Sequence, residues 1–172
     1  MTPPRLQTER LVLRAPALAD FAAYAAFFAS PRSGYEDGPL ARGPAWREFA
    51  SAAGQWMLKG YGAWSIEERA TGAYAGEVGI FHPAHFPEPE IGWTLMAPFE
   101  GRGLAHEAAL AARAWAYAAL GLETLVSYVA PGNARSIRLA ERLGARLDPD
   151  APYPDDDPCL VFRNPCPVER AR

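Results

Sequence analysis

Apolar residues recur along this chain with two different periods, and the switches between them mark its elements. Leu11 and Leu13 alternate with Val12 between Arg10 and Arg14, which predicts a first strand. Pro16 and Asp20 then introduce a helix through about Ser30. Gly34 to Gly43 is a loop rich in Gly and Pro, and Pro44 suits the first position of a second helix reaching about Lys59. Trp64 and Ile66, then Tyr74, Val78 and Ile80, alternate on either side of Ala70-Thr71-Gly72 and predict a hairpin. His82 to Pro89 is a proline-rich loop feeding a further strand, Glu90-Ile91-Gly92-Trp93-Thr94-Leu95-Met96. From Leu104 to Leu120 the period becomes helical, with Leu104, Ala108, Ala111, Ala112, Trp115 and Ala119 in phase. Leu125–Val129 reads as a strand, and Ile137, Leu139, Ala140 and Leu143 as the apolar side of another helix. Leu147 to Pro158 is a polar connection, and Cys159–Arg163 a last short strand. There is neither an internal repeat nor an interdomain linker, so one domain over residues 1–172 is expected. Antiparallel strands early and strand–helix–strand–helix late give an α+β fold: a mixed, mostly antiparallel central sheet with helices on both faces.

The most telling segment joins a strand to the long helix: Glu100-Gly101-Arg102-Gly103-Leu104-Ala105-His106-Glu107. Gly101 and Gly103 let the backbone approach a ligand closely, and a helix starting there adds unpaired amides and the positive end of its dipole. That is an anion cradle suited to phosphate. A Walker loop needs Gly-Lys-Ser/Thr where this chain has Gly103-Leu104-Ala105. A dinucleotide-binding turn needs a small third residue where His106 stands, and an acid after the next strand, whereas Glu123 precedes Leu125–Val129.

A third motif fits. Glu100 to Ala105 resembles the Arg/Gln-x-x-Gly-x-Gly/Ala pyrophosphate loop of the GNAT N-acetyltransferase superfamily. The surrounding segments are similar in family order: EIGWTL to the fourth strand, LAHEAALAARAWAYAALG to the long helix, and LVSYVAPGNARSIRLAERLGA to the fifth strand, Asn turn and next helix. The opening TERLVLRAPALADFAAY resembles the Rim-like branch, which includes ribosomal-protein N-terminal acetyltransferases, and the similarity spans about Arg5 to Leu147. The resemblance implies a GNAT-like acyl-CoA transferase fold with acetyl-CoA as cosubstrate. A primary amine, on a protein N-terminus or a small molecule, would attack the thioester directly. It also implies a splay between the fourth and fifth strands that admits the pantetheine arm.

Site residues follow from the same resemblance. Backbone amides of Gly101, Arg102, Gly103, Leu104 and Ala105 are expected to hold the pyrophosphate, with Leu95 and Met96 beside the arm and the oxyanion. Asn133 is expected at the pantetheine or the reacting centre, although it would also serve as an ordinary helix N-cap. Glu90 is the candidate base, by itself or through water, weighed against a solvated strand-end charge or a salt bridge. Two positions depart from the family pattern: Glu100 replaces Arg or Gln, and Ala140 stands where many members carry the tyrosine that protonates the thiolate. Ser136, Tyr128 or water must then supply that proton. Ser136 is the nearest hydroxyl in the motif, weighed against a plain first-turn serine.

Composition narrows the alternatives. Apolar residues make up 49% and charged residues 22%, an ordinary globular balance, and charges interrupt every apolar run. The first residues lack the apolar core of a signal peptide, so cytoplasmic residence is expected and membrane association is not. A net charge of −3 argues against nucleic-acid binding. The two cysteines, Cys159 and Cys166, have no zinc-like spacing, and His82 and His85 sit among prolines, so no metal is expected. Asp148, Asp150, Asp155, Asp156 and Asp157 read as a solvated loop or an attractor for a cationic acceptor. Trp56, Trp64, Trp93 and Trp115 are core candidates, Trp93 alternatively lining a substrate groove. A homodimer stays open. The runner-up function is a non-catalytic acyl-CoA-binding regulatory module, and a nucleotide-dependent oxidoreductase is a distant third.

Overall fold

Eight strands form one sheet in the order β1-β2-β3-β4-β5-β6-β8-β7, in a computed structural model that describes residues 2–154 and 158–166. The strands are β1 (Leu6–Gln7), β2 (Leu11–Arg14), β3 (Ala63–Glu68), β4 (Tyr74–Phe81), β5 (Glu90–Leu95), β6 (Val126–Val129), β7 (Arg146–Leu147) and β8 (Leu160–Arg163). Helices α1 (Phe21–Phe28), α2 (Arg42–Lys59), α3 (Leu104–Leu120) and α4 (Ala134–Arg142) connect them. Every strand pair is antiparallel except β5 with β6, which the α3 crossover makes parallel. The mixed, mostly antiparallel sheet read from the sequence is present. The two-residue strands β1 and β7 escaped notice because two residues carry no period. Helix α2 starts at Arg42, two residues before Pro44, after a 3-10 turn at Pro31–Ser33 in the preceding loop. Asp155, Asp156 and Asp157 lie outside the described residues.

Each face of the sheet is covered for a legible reason. On one face Leu11, Leu13, Trp64, Ile66, Val78, Ile80 and Ile91 are fully buried. They pack with Leu104, Ala108, Ala109, Ala112 and Ala116 of α3. The alanines of α3 add little bulk, so its axis lies close to the sheet and its N-terminus ends beside β5. Trp56, Trp64 and Trp115 meet with ring centroids 4.6, 5.5 and 5.0 Å apart, as core residues.

The opposite face carries a polar row, Arg14, Ser65, Glu77 and Thr94, set by cross-strand register. Asp20, just before α1, is 4% exposed. Arg14 grips both of its carboxylate oxygens at 2.8 Å, Ser65 Oγ donates at 2.7 Å and the Ala17 amide at 2.9 Å. Arg14 also donates to Glu67 at 2.6 Å. This network ties the start of α1 to the sheet, while Phe21, Tyr24, Phe28, Ala45 and Phe49 bind α1 to α2.

Burial alone would raise the Asp20 carboxyl, but Arg14, Ser65 and the Ala17 amide outweigh it and hold it below its ordinary value. Its contribution to stability is therefore complete above the ordinary value of 3.8 and is lost as pH falls beneath that. Asp20→Ala is expected to cost about 3 kcal/mol at pH 7, since it strips a largely buried guanidinium of its main partner. Urea denaturation across pH checks this: the gap between the two proteins must narrow as the medium is acidified below pH 3.8.

Candidate active site

The sheet opens between β5 and β6. The two strands are in register at one pair, Glu90 with Val126, where the Val126 amide donates to Pro89 O at 3.0 Å. Ser127 Oγ donates to Ile91 O at 2.9 Å, and past that point the strands part. On its other side β5 stays paired with β4 to its end, and the Met96 amide donates to Ala75 O at 2.9 Å. Because backbone groups alternate along an antiparallel strand, the amides and carbonyls of Trp93 and Leu95 point away from β4. They face the opening.

A cavity of about 1200 Å³ occupies it. Its walls are Trp93, Thr94 and Leu95 of β5, the Glu100–His106 loop and helix start, the turn before α4 and one side of that helix to Arg142, and the segment after α1 from Pro31 to Glu36. A smaller space of about 60 Å³ adjoins it, lined by Glu90, Ser127 and Tyr128 and sharing Tyr35, Glu36, Trp93, Asn133 and Ser136 with the larger cavity.

The phosphate-loop candidates meet at one end of the large cavity. Gly101 and Gly103 have φ of 72° and 78°, left-handed values that oppose any side chain. Gly103 is the N-cap of α3 and has no side chain, so it caps none of the helix's first-turn amides. Gly101, Gly103, Leu104 and Ala105 line the cavity. The Arg102 side chain turns away and ion-pairs with Glu68, while its carbonyl accepts from Arg10 Nη1 at 2.9 Å. Arg10 Nε in turn donates to Glu107 at 2.7 Å, and the Thr8 hydroxyl donates to the same carboxylate at 2.5 Å. The loop is thus staked from behind. Glu100 accepts from Arg32 and from Arg135, the latter at 2.8 Å.

Leu95 is in the cavity wall, but Met96 is not brought there. It is 8% exposed, and its amide is committed to β4, so it has no N–H to offer an oxyanion. Asn133 is the N-cap of α4, its Oδ1 accepting from the Ser136 amide at 3.2 Å, and the residue lines both spaces. Ser136 Oγ accepts from Trp93 Nε1 at 3.3 Å, which leaves its own proton available to donate. Trp93 is a groove residue. The Tyr128 hydroxyl is held on the backbone of Glu88, accepting its amide at 3.1 Å. Glu88 itself is held in an ion pair by Arg163 at 2.7 Å.

Glu90 is in the wall of the smaller space, where its Oε1 accepts from the Tyr128 amide at 3.3 Å. Beside it are carboxylates that the sequence did not single out. Glu36 lines both spaces, and its carboxyl is pushed up to about 8 by burial first, then by the charges of Glu90, Glu77 and Asp37. Glu77 of β4, opposite Thr94 of β5, is pushed up to about 7 by burial. Glu36 sits in a loop without periodicity, and Glu77 reads as an ordinary outward strand residue. Only the fold brings Glu36 within electrostatic reach of both Glu90 and Glu77.

Comparison with known proteins agrees with this geometry. Residues 10–146 match the acetyltransferase (GNAT) domain family. The chain is similar to the structure of an acetyltransferase from Agrobacterium tumefaciens str. C58, at 48% identity over 95% of each chain, with a TM-score of 0.89. Its likeness to the ribosomal-protein-S5-alanine acetyltransferase of Vibrio fischeri is one of fold, at 14% identity over 96% of this chain and 98% of that one, with a TM-score of 0.72. YkkB of Bacillus subtilis (strain 168) is 34% identical over 91 residues, which is 50% of this chain and 52% of that protein; the match spans about half of each. An open seam between parallel strands, a glycine-capped helix at its end and a match over most of the chain lead to one assignment: the protein belongs to the GNAT acetyltransferase family.

Proposed function

We propose that the protein is an acetyl-CoA-dependent N-acetyltransferase acting on a primary amine by direct attack. The observation that carries this reading is the seam between β5 and β6, which runs from a carboxylate pair at one end to a helix N-terminus at the other. The seam fits the cosubstrate. The outward backbone of Trp93 and Leu95 suits an amide-bearing pantetheine chain, and the left-handed glycines with the first-turn amides of α3 suit a pyrophosphate. Bound there, acetyl-CoA supplies an acetyl group already activated as a thioester.

The chain's own residues do the rest. The amine arrives as an ammonium, drawn to the end of the site where Glu36 and Glu90 lie. A carboxylate oxygen of Glu90, directly or through one water, takes its proton. Glu36 stands near it, its carboxyl raised by burial first and then by the charge of Glu90. The Leu95 amide, aimed into the seam, stabilises negative charge developing on the acyl oxygen. Ser136 Oγ passes a proton from water to the departing sulfur, regaining its own as it gives it up; the demand is mild because a thiolate is a weak base and a good leaving group. Asn133 holds the first turn of α4, and with it Ser136, against the cavity.

Three substitutions test this. Gly103→Val forces a β-branched residue into a left-handed conformation at φ 78°. It should weaken acetyl-CoA binding about tenfold or more in calorimetry while the protein stays folded; unchanged affinity removes the loop from the binding site. Glu90→Gln should lower kcat about a hundredfold with acetyl-CoA affinity intact. Glu36→Gln should abolish the rise in kcat with pH that its carboxyl produces as it ionises around pH 8. A pH–rate profile that both substitutions leave unaltered would exclude these carboxylates as the base.

A further inference from the structure

An arginine from each side of the cavity mouth reaches one carboxylate of the phosphate loop. Arg32 lies in the 3-10 turn after α1, Arg135 in the first turn of α4, and Glu100 directly before Gly101. Arg32 Nη2 donates to one oxygen of Glu100, and Arg135 Nη1 donates to the other at 2.8 Å. All three residues line the large cavity. The turn that carries Arg32 is itself docked: the Tyr35 hydroxyl donates to Gly132 O at 2.9 Å, joining it to the turn that leads into α4. Both guanidiniums therefore stand on anchored backbone.

A lone carboxylate beside a phosphate site would repel the phosphate. One carboxylate shared by two guanidiniums carries a net charge of +1, so the sign at the loop is reversed. A guanidinium also has five N–H donors in a fixed plane, and bonding Glu100 leaves several of them for another anion. Exposed ion pairs add little to stability, so a purely structural role explains the triad poorly. Its position explains it better.

We propose that Glu100 is a post on which Arg32 and Arg135 are held as a two-sided clamp for the pyrophosphate of CoA. The role given to Arg or Gln at the first position of similar loops is thereby moved to two neighbouring elements. Arg32 and Arg135 are binding residues here and Glu100 a positioning residue. The inference rests on the CoA reading above.

Binding of CoA, 3′-dephospho-CoA and pantetheine to the full chain, by calorimetry and by ligand-observed NMR for the weak pantetheine, tests it without turnover. Arg32→Gln and Arg135→Gln should each weaken CoA about tenfold and dephospho-CoA equally, leaving pantetheine unchanged. Glu100→Ala should also weaken CoA, although it removes a negative charge. Replacing Arg135, 71% exposed, leaves the core intact, and thermal melting confirms this for each variant. Wild-type affinity for CoA in both arginine variants overturns the clamp. So does an equal loss for pantetheine, a loss absent with dephospho-CoA, or tighter CoA binding by Glu100→Ala. If the wild-type protein binds no CoA, the function proposed above fails as well, and the two failures are thereby told apart.

Discussion

A strand that is paired along one edge and released along the other must place its remaining backbone polar groups somewhere, because buried unpaired amides and carbonyls are costly. That constraint organises this protein. Strand β5 is held by β4 over its whole length and by β6 only at Glu90. β6 is held instead by β8, through four register pairs from Val126 to Val129. The seam between β5 and β6 is therefore a built part of the sheet, and the outward groups of Trp93 and Leu95 stay at its surface, where a ligand or water can meet them. Everything with chemical potential is arranged along that line: carboxylates where the strands still touch, and helix amides where they are furthest apart.

The charged residues divide into those that brace the site and those that face it. Arg14, Asp20, Glu67 and Ser65 satisfy one another beneath α1, and Thr8, Arg10 and Glu107 do the same behind the glycine loop. These groups are spent on structure. Glu36 and Glu77, by contrast, have no ion-pair partner among the described residues and carry raised carboxyl groups. Burying such groups works against stability.

Much of this was legible from residue order. The span of α3 was readable to the residue, because seventeen positions of helical period end in glycines on both sides. The β3–β4 hairpin, the Asn133 cap and the glycine loop were equally local features. What escaped depends on register and on loop placement. Glu36 lies in an aperiodic loop, and β1 and β7 are too short to show alternation. Met96 looked like a continuation of β5 toward the opening. The alternation that turns Leu95 outward turns the Met96 amide inward to Ala75, a distinction that strand pairing alone supplies. Glu100 showed in the sequence only as a departure from the loop pattern, because its partners Arg32 and Arg135 come from distant segments.

Ala140 has a consequence for how this site can change. It is fully buried in a small cluster with Val129, Ala145 and Phe162, and the Trp93 ring packs against that cluster. A tyrosine introduced there by itself would enter volume that is already filled, in a region where added bulk costs stability. Trp93 also donates to Ser136, so any shift of the indole to make room would disturb the hydroxyl one turn earlier on the same side of α4. Positions 93, 136 and 140 are therefore locked together as a set. A tyrosine donor at position 140 requires repacking of the indole at position 93, and with it a new partner for the hydroxyl at position 136.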